Sequence, residues 1–293
     1  MSHSAYYVPA QSRWPIIASI ALFLMAFGAG SLINGLANNS GGLGLTLLLA
    51  GAFAMGMILV GWFRTVINES QGGLYSPQMD RSFRWGMSWF IFSEVMFFAA
   101  FFGVLFYVRV LAVPWLGGEG EKGVSQMLWQ GFEAQWPLLT TPDMEQFPGA
   151  VGVIDPWHLP LLNTAILVTS SFTLTLAHHA LKVDDRPRTI LWLGTTVLLG
   201  LVFLLFQFSE YVEAYEELGL TLNSGIYGAT FFILTGFHGL HVTLGTLMLI
   251  IIWLRVMNGH FSPDYHFGFE ATAWYWHFVD VVWVGLFIFV YVL

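Results

Sequence analysis

The chain has 293 residues, of which 56% are hydrophobic and only 10% charged, with 27 Phe and 13 Trp. So apolar a composition excludes an ordinary soluble globule and indicates a protein that crosses a bilayer several times. The absence of cysteine excludes disulfides, thiolate metal sites, iron–sulfur clusters and a cysteine nucleophile, and most of the acids behind the net charge of −8 fall in two loops, where they report sidedness rather than ligands.

The first residues, MSHSAYYVPAQSRWP, lack the basic start and small-residue cleavage site of a signal peptide, and the apolar run after them is of full length, so a retained first span is expected. Seven runs long enough to cross as helices follow in order: Trp14 to Leu36, Leu43 to Phe63, Phe83 to Val113, Leu159 to Leu181, Ile190 to Tyr211, Ile226 to Met257 and Phe267 to Leu293. The third and sixth exceed the length a bilayer needs and should tilt or protrude. The predicted fold is therefore an all-α integral membrane protein with seven transmembrane helices. ANNSGG between the first two runs reads as a tight turn, making those spans an antiparallel hairpin. Small residues Gly28, Ala29, Gly30, Gly51, Ala52 and Gly56 suit close contact between them. The stretch NESQGGLYSPQMDRS then reads as a hinge, giving an N-terminal two-helix unit over residues 1–67, a hinge loop over 68–82 and a five-helix unit over 83–293 with an insert at 114–158.

Sidedness follows from the basic residues. With the N-terminus in the cytoplasm, Arg13, Arg64, Arg81, Arg84, Lys182, Arg186, Arg188 and Arg255 all lie at cytoplasmic ends or loops, leaving Arg109 and Lys122 outside. The outer side then receives the insert, with Glu119, Glu121, Glu133, Asp143, Glu145 and Asp155, and a short loop carrying Glu213, Glu216 and Glu217. An odd number of spans places the C-terminus on the opposite, outer side.

Three sets of polar residues interrupt this pattern. Glu94 stands alone in the third run, about 16 Å from Phe83 by helical rise, near mid-depth of a hydrocarbon core about 30 Å thick. It must be neutral or paired, and either a hydrogen-bonded structural acid or a proton-handling group answers that description. Second, His238 and His241 lie three apart in TGFHGLHVTLG, His178 and His179 end the fourth run, and His277 precedes Asp280 in WYWHFVDVVW. Histidines on facing helices can ligate haem or copper, or hydrogen-bond between helices. Their depths allow His241 and Asp280 to meet. Third, Trp62, Arg64, Glu69, Arg255 and His260 cluster at predicted cytoplasmic ends, where they suit either a phospholipid phosphate site or plain interfacial anchoring.

The motifs FIFSEVMFFAAFF, LLNTAILVTSSFTLTLAHHAL, SGIYGATFFILTGFHGLH and HFGFEATAWYWHFVDVVW, in that order, are similar to subunit III of the haem–copper cytochrome c oxidases in its seven-helix bacterial form. The resemblance implies a two-helix and a five-helix unit forming a V-shaped cleft filled with phospholipid. It further implies a chain without metal or haem, which supports a catalytic subunit I alongside subunit II in a complex that reduces oxygen with electrons from cytochrome c and pumps protons. Haem and copper are then expected in the partner subunits, bound phospholipid in this chain, and no nucleic acid. By the same resemblance Glu94 matches an intramembrane acid beside the cleft. Arg64, Arg255 and His260 match lipid-headgroup contacts, to which the position of Trp62 at the end of the second run adds a fourth, and His238, His241, Glu270, His277 and Asp280 match a structural polar network. No catalytic or metal-ligating residue is expected. The chain departs from the family pattern at Leu74 and Tyr75, where many relatives carry histidines, and at Thr65, often an acid.

Two other readings stay open on residues alone. A quinol oxidase has a similar subunit, usually with fewer spans, and a cytochrome b-like protein would use the histidine pairs as axial ligands. A secondary transporter would show repeated halves and broken helices, and neither is visible.

Overall fold

The structure, a computed structural model, describes residues 11–36 and 41–293. Among these residues there is no strand, and seven helices are long and apolar enough to cross a membrane. They are α1 (Trp14–Leu36), α2 (Gly42–Gln71), α3 (Pro77–Phe106), α4 (Leu159–Lys182), α5 (Arg186–Glu216), α6 (Gly225–Met257) and α7 (Phe267–Leu286). Residues 37–40 of the predicted turn and the start of the chain lie outside the described residues.

The helices extend beyond the apolar runs wherever a polar flank can continue them. α2 passes Phe63 and reaches Gln71, and α3 starts at Pro77, so only Gly72 to Ser76 of the predicted hinge stay outside helices. Gly73, at φ +69°, ends the first, and Pro77 opens the second at a position where a missing N–H does no harm. α3 widens into a π-turn over Tyr107–Ala112 just before Pro114, whose ring cannot share an ordinary turn with the carbonyl four residues back. A second π-turn, Phe287–Val292, continues α7.

The chain divides into two compact units, one ending at Phe83 and the other beginning at Arg84. In the first, glycines let α1 and α2 touch backbone to backbone. A Cβ on Gly28 would meet Leu48, one on Gly44 would meet Leu32, and one on Gly51 would lie 2.8 Å from the Met25 backbone nitrogen. These pairings run in opposite directions, as an antiparallel hairpin requires. Gly30 and Gly56 face open space and take no part.

In the second unit α7 is the central element. Trp276 and Trp283 are fully buried. Their indole N–H groups donate to α4, Trp276 to Ser170 Oγ at 2.8 Å and Trp283 to Thr164 Oγ1 at 2.9 Å. The Trp276 ring is flanked by Gly200 of α5 and Gly245 of α6, where an added Cβ would lie 2.8 and 2.9 Å from ring carbons. At one end Arg186 of α5 donates to the carbonyls of Val256, at 2.9 Å, and Met257, closing the C-terminus of α6. At the other end the insert folds back over the bundle. Phe132, Leu138, Ala150 and Ile154 are buried, Val151 N–H donates to Leu218 O at 2.8 Å, and Trp136 meets Tyr227 edge-on at 5.6 Å.

The Trp276 slot yields a measurable contrast within α6. Gly245→Ala should lower resistance to denaturing detergent by about 1–3 kcal/mol through overpacking. Gly239→Ala, which faces open space, should be neutral or gain up to about 1 kcal/mol in helix propensity. Circular dichroism of the purified protein during dodecyl sulfate titration reads both.

Candidate functional site: polar pairs within the spans

Glu94 projects from α3 toward His241 of α6, with Oε2 3.1 Å from Nε2. The other ring nitrogen, Nδ1, lies 2.6 Å from the Phe237 carbonyl, one turn back in α6. A carbonyl only accepts, so Nδ1 carries a hydrogen. One further proton then lies between Nε2 and Oε2, and wherever it sits the pair is neutral overall. That is the condition under which an acid can reside at mid-depth in hydrocarbon. Aromatic rings enclose the imidazole: Phe98 at 5.0 Å, Phe97 at 5.9 Å and Tyr275 at 6.3 Å between centroids.

His238, one turn before His241, faces a different helix. It is fully buried, donates from Nε2 to the Val279 carbonyl at 3.2 Å and packs 5.0 Å from the Trp283 ring. His277 and Asp280 of α7 meet around Ser171 of α4. Ser171 Oγ lies 2.7 Å from His277 Nδ1 and is in contact with Asp280 Oδ2. His241 and Asp280 therefore do not pair. Helical rise fixes depth but not azimuth, and at similar depths one side chain turns toward α3 and the other toward α4.

Glu270, in the first turn of α7, is gripped by Arg84 of α3. Its Oε1 lies 3.2 Å from His266 Nε2 and 3.7 Å from His178 Nε2. His178, His266 and Glu270 present ligand atoms within 4.8 Å of one another, the donor set of a small metal site. The Arg84 guanidinium already neutralises that carboxylate and would repel a divalent cation.

Of the predicted headgroup contacts, Arg255 and His260 lie together at the end of α6. The Arg255 guanidinium stacks 4.3 Å from the Phe261 ring, and His260 N–H donates to the Arg255 carbonyl at 3.0 Å. Loss of solvent around the imidazole, and then the charge of Arg255, lower the pKa of His260. The ring is thus neutral at pH 7, a hydrogen-bonding group rather than a second cation. Trp62 and Arg64 belong to the other unit, both exposed on the last turns of α2, where Tyr75 O–H donates to Glu69 Oε2 at 2.8 Å.

Sequence reading missed one acid altogether. Glu210 of α5 is fully buried and accepts from Tyr291 O–H at 2.5 Å and Gln207 Nε2 at 3.1 Å, pinning the terminal π-turn of the chain. Its position inside the fifth apolar run was the available signal.

The model of the family described as cytochrome c oxidase subunit III matches in two overlapping stretches, residues 3–142 and 125–293. The chain belongs to the cytochrome c oxidase subunit III family. It is 38% identical to cytochrome c oxidase subunit 3 of Danio rerio, of Homo sapiens and of Bos taurus, each over 99% of this chain and 98% of the relative. As a member of that family it is a multi-pass membrane subunit of an oxidoreductase complex.

The proton count at Glu94 makes a prediction. Glu94→Gln offers an amide N–H to His241 Nε2 and should fold with near-native detergent resistance. Glu94→Leu strands a buried nitrogen and should cost about 1–3 kcal/mol. Dodecyl sulfate titration of both variants is the check.

Proposed function

We propose that this chain is the non-catalytic core subunit of a cytochrome c oxidase in a bacterial inner membrane, with its N-terminus cytoplasmic and its C-terminus periplasmic. It binds the haem- and copper-bearing subunit I, in a complex with subunit II that takes electrons from cytochrome c, reduces oxygen to water and pumps protons. Its own contributions are to stabilise subunit I, to hold phospholipid and to support proton uptake. Glu94 serves as a neutral, paired acid, and the ends of α2 and α6 meet lipid phosphates through Arg64 and Arg255.

The observation that carries this reading is that the mid-span histidines are engaged in hydrogen bonds between and within helices. His241 is bonded at both ring nitrogens, His238 bonds Val279 and His277 bonds Ser171. A cytochrome b-like role would need such rings aimed in pairs at a cofactor. The relatives' names favour cytochrome c over quinol as the donor to the complex.

Co-purification tests the assignment: a tagged chain should bring down a haem-bearing subunit, while the separated chain should carry neither haem nor copper in stoichiometric amount. The lipid role predicts that Arg64→Ala combined with Arg255→Ala lowers the phospholipid retained by the complex, each charge-assisted contact contributing on the order of 1 kcal/mol. Activity should then decay faster during turnover from a near-normal initial rate. Phosphorus analysis and oxygen-electrode traces read these two effects.

A further inference from the structure

Glu210 of α5 is fully buried, and Gln207, one turn before it, is nearly so. Glu210 Oε1 receives two donors, Tyr291 O–H and Gln207 Nε2–H, which occupy both of its lone pairs. The remaining oxygens of the pair, Glu210 Oε2 and Gln207 Oε1, are buried and have no hydrogen-bond partner among the described residues. With the carboxyl ionised both are acceptors, so neither can satisfy the other, and a buried acceptor left unpaired is costly.

Charge adds a second constraint. The titratable groups around the carboxyl are Tyr291 of the terminal π-turn, Tyr227 of α6, and Tyr211 and Glu213 of α5 itself. None is basic, and among the described residues Glu210 takes part in no ion pair. Ionised, it would be a fully buried charge without a counter-ion. A single hydrogen on Oε2 removes both difficulties. The acid becomes neutral, and Oε2–H is the donor that Gln207 Oε1 lacks, completing the two-point pairing of a carboxylic acid with a primary amide. Exchanging the amide oxygen and nitrogen leaves the count unchanged, because the amide oxygen would then face Oε1 at 3.1 Å and again need a hydrogen between them.

The acid also has a way out to water. Glu213 lies one turn further along α5, about 4.5 Å by helical rise, and lines a cavity of about 360 Å³ whose walls include Asp155 and His158. Asp155 and His158 are exposed and Glu213 is half-buried, so titratable groups lead from the surface to within one turn of Glu210.

Independently of the oxidase-subunit reading, we propose that Glu210 and Gln207 form a proton-binding site beneath the insert, with one proton held on Glu210 Oε2 and exchanged with the aqueous phase through the Glu213 cavity. While the proton is bound, the carboxyl holds Tyr291 and the terminal π-turn to α5. Its loss leaves two acceptor oxygens unpaired and a charge uncompensated, so the site favours the protonated state.

Infrared spectroscopy of the detergent-purified complex and its Glu210→Gln variant is the test. Gln reproduces the hydrogen bonds of the neutral acid, so the variant should assemble normally. The difference between the two spectra at neutral pH should contain a carboxylic-acid carbonyl band that the variant has lost. Transfer to heavy water should shift that band, and Glu213→Leu should slow the shift about tenfold or more. Tyr291→Phe gives a second reading that keeps the acid: with one donor fewer on the carbonyl oxygen, the band should move to higher frequency without disappearing. A carboxylate band in place of the carbonyl band would overturn the proton site, and its movement on replacing sodium with choline would assign a monovalent cation there instead. A carbonyl band that heavy water leaves unshifted, or that shifts equally fast in Glu213→Leu, would overturn exchange through the cavity.

Discussion

The second unit depends on one fit: the Trp276 ring of α7 lying between Gly200 and Gly245, with its indole N–H on Ser170. Three helices are positioned by a single side chain, because the absent Cβ atoms on α5 and α6 create the slot and the hydroxyl on α4 satisfies the one polar atom that enters it. Trp283 repeats the arrangement two turns along, against Thr164. Between acyl chains there is little hydrophobic drive for helices to associate, so such shape fits and interhelical hydrogen bonds define the bundle.

The same scarcity of water explains the polar pairs. Glu94 with His241, Glu270 with Arg84, and Glu210 with Tyr291 and Gln207 each bring a partner from another helix or from the terminal π-turn to an acid that hydrocarbon would not tolerate alone. The pairs also join α3 to α6 and α7, and α5 to the chain's last residues. Charge neutralisation and helix arrangement are therefore one property of the fold.

The two units illustrate different means of close packing. In the hairpin, Gly28, Gly44 and Gly51 bring backbones together with few polar side chains involved. In the larger unit, glycines receive aromatic rings, and serines and threonines receive the indole N–H groups. The insert adds an apolar underside of its own, with Phe132 and Ile154 buried beneath loops whose acids, the half-buried Asp143 apart, remain exposed.

Composition and apolar run length alone predicted the seven helices that, among the described residues, are long and apolar enough to cross a membrane, because the energetics of moving a residue into hydrocarbon are summed along the sequence. The family motifs were legible as well, since they are contiguous strings. Helix ends were less so: polar flanks such as the residues from Arg64 to Gln71 continue a helix that hydropathy ends at Phe63. Only the tertiary structure decided which polar groups meet. Rise per residue gives His241 and Asp280 similar depths, yet their azimuths on α6 and α7 send one to Glu94 and the other to Ser171. Ser171, Arg84 and His266 were silent in the sequence for the same reason: their roles are set by neighbours from helices distant in the chain, and a one-dimensional pattern carries depth but not direction.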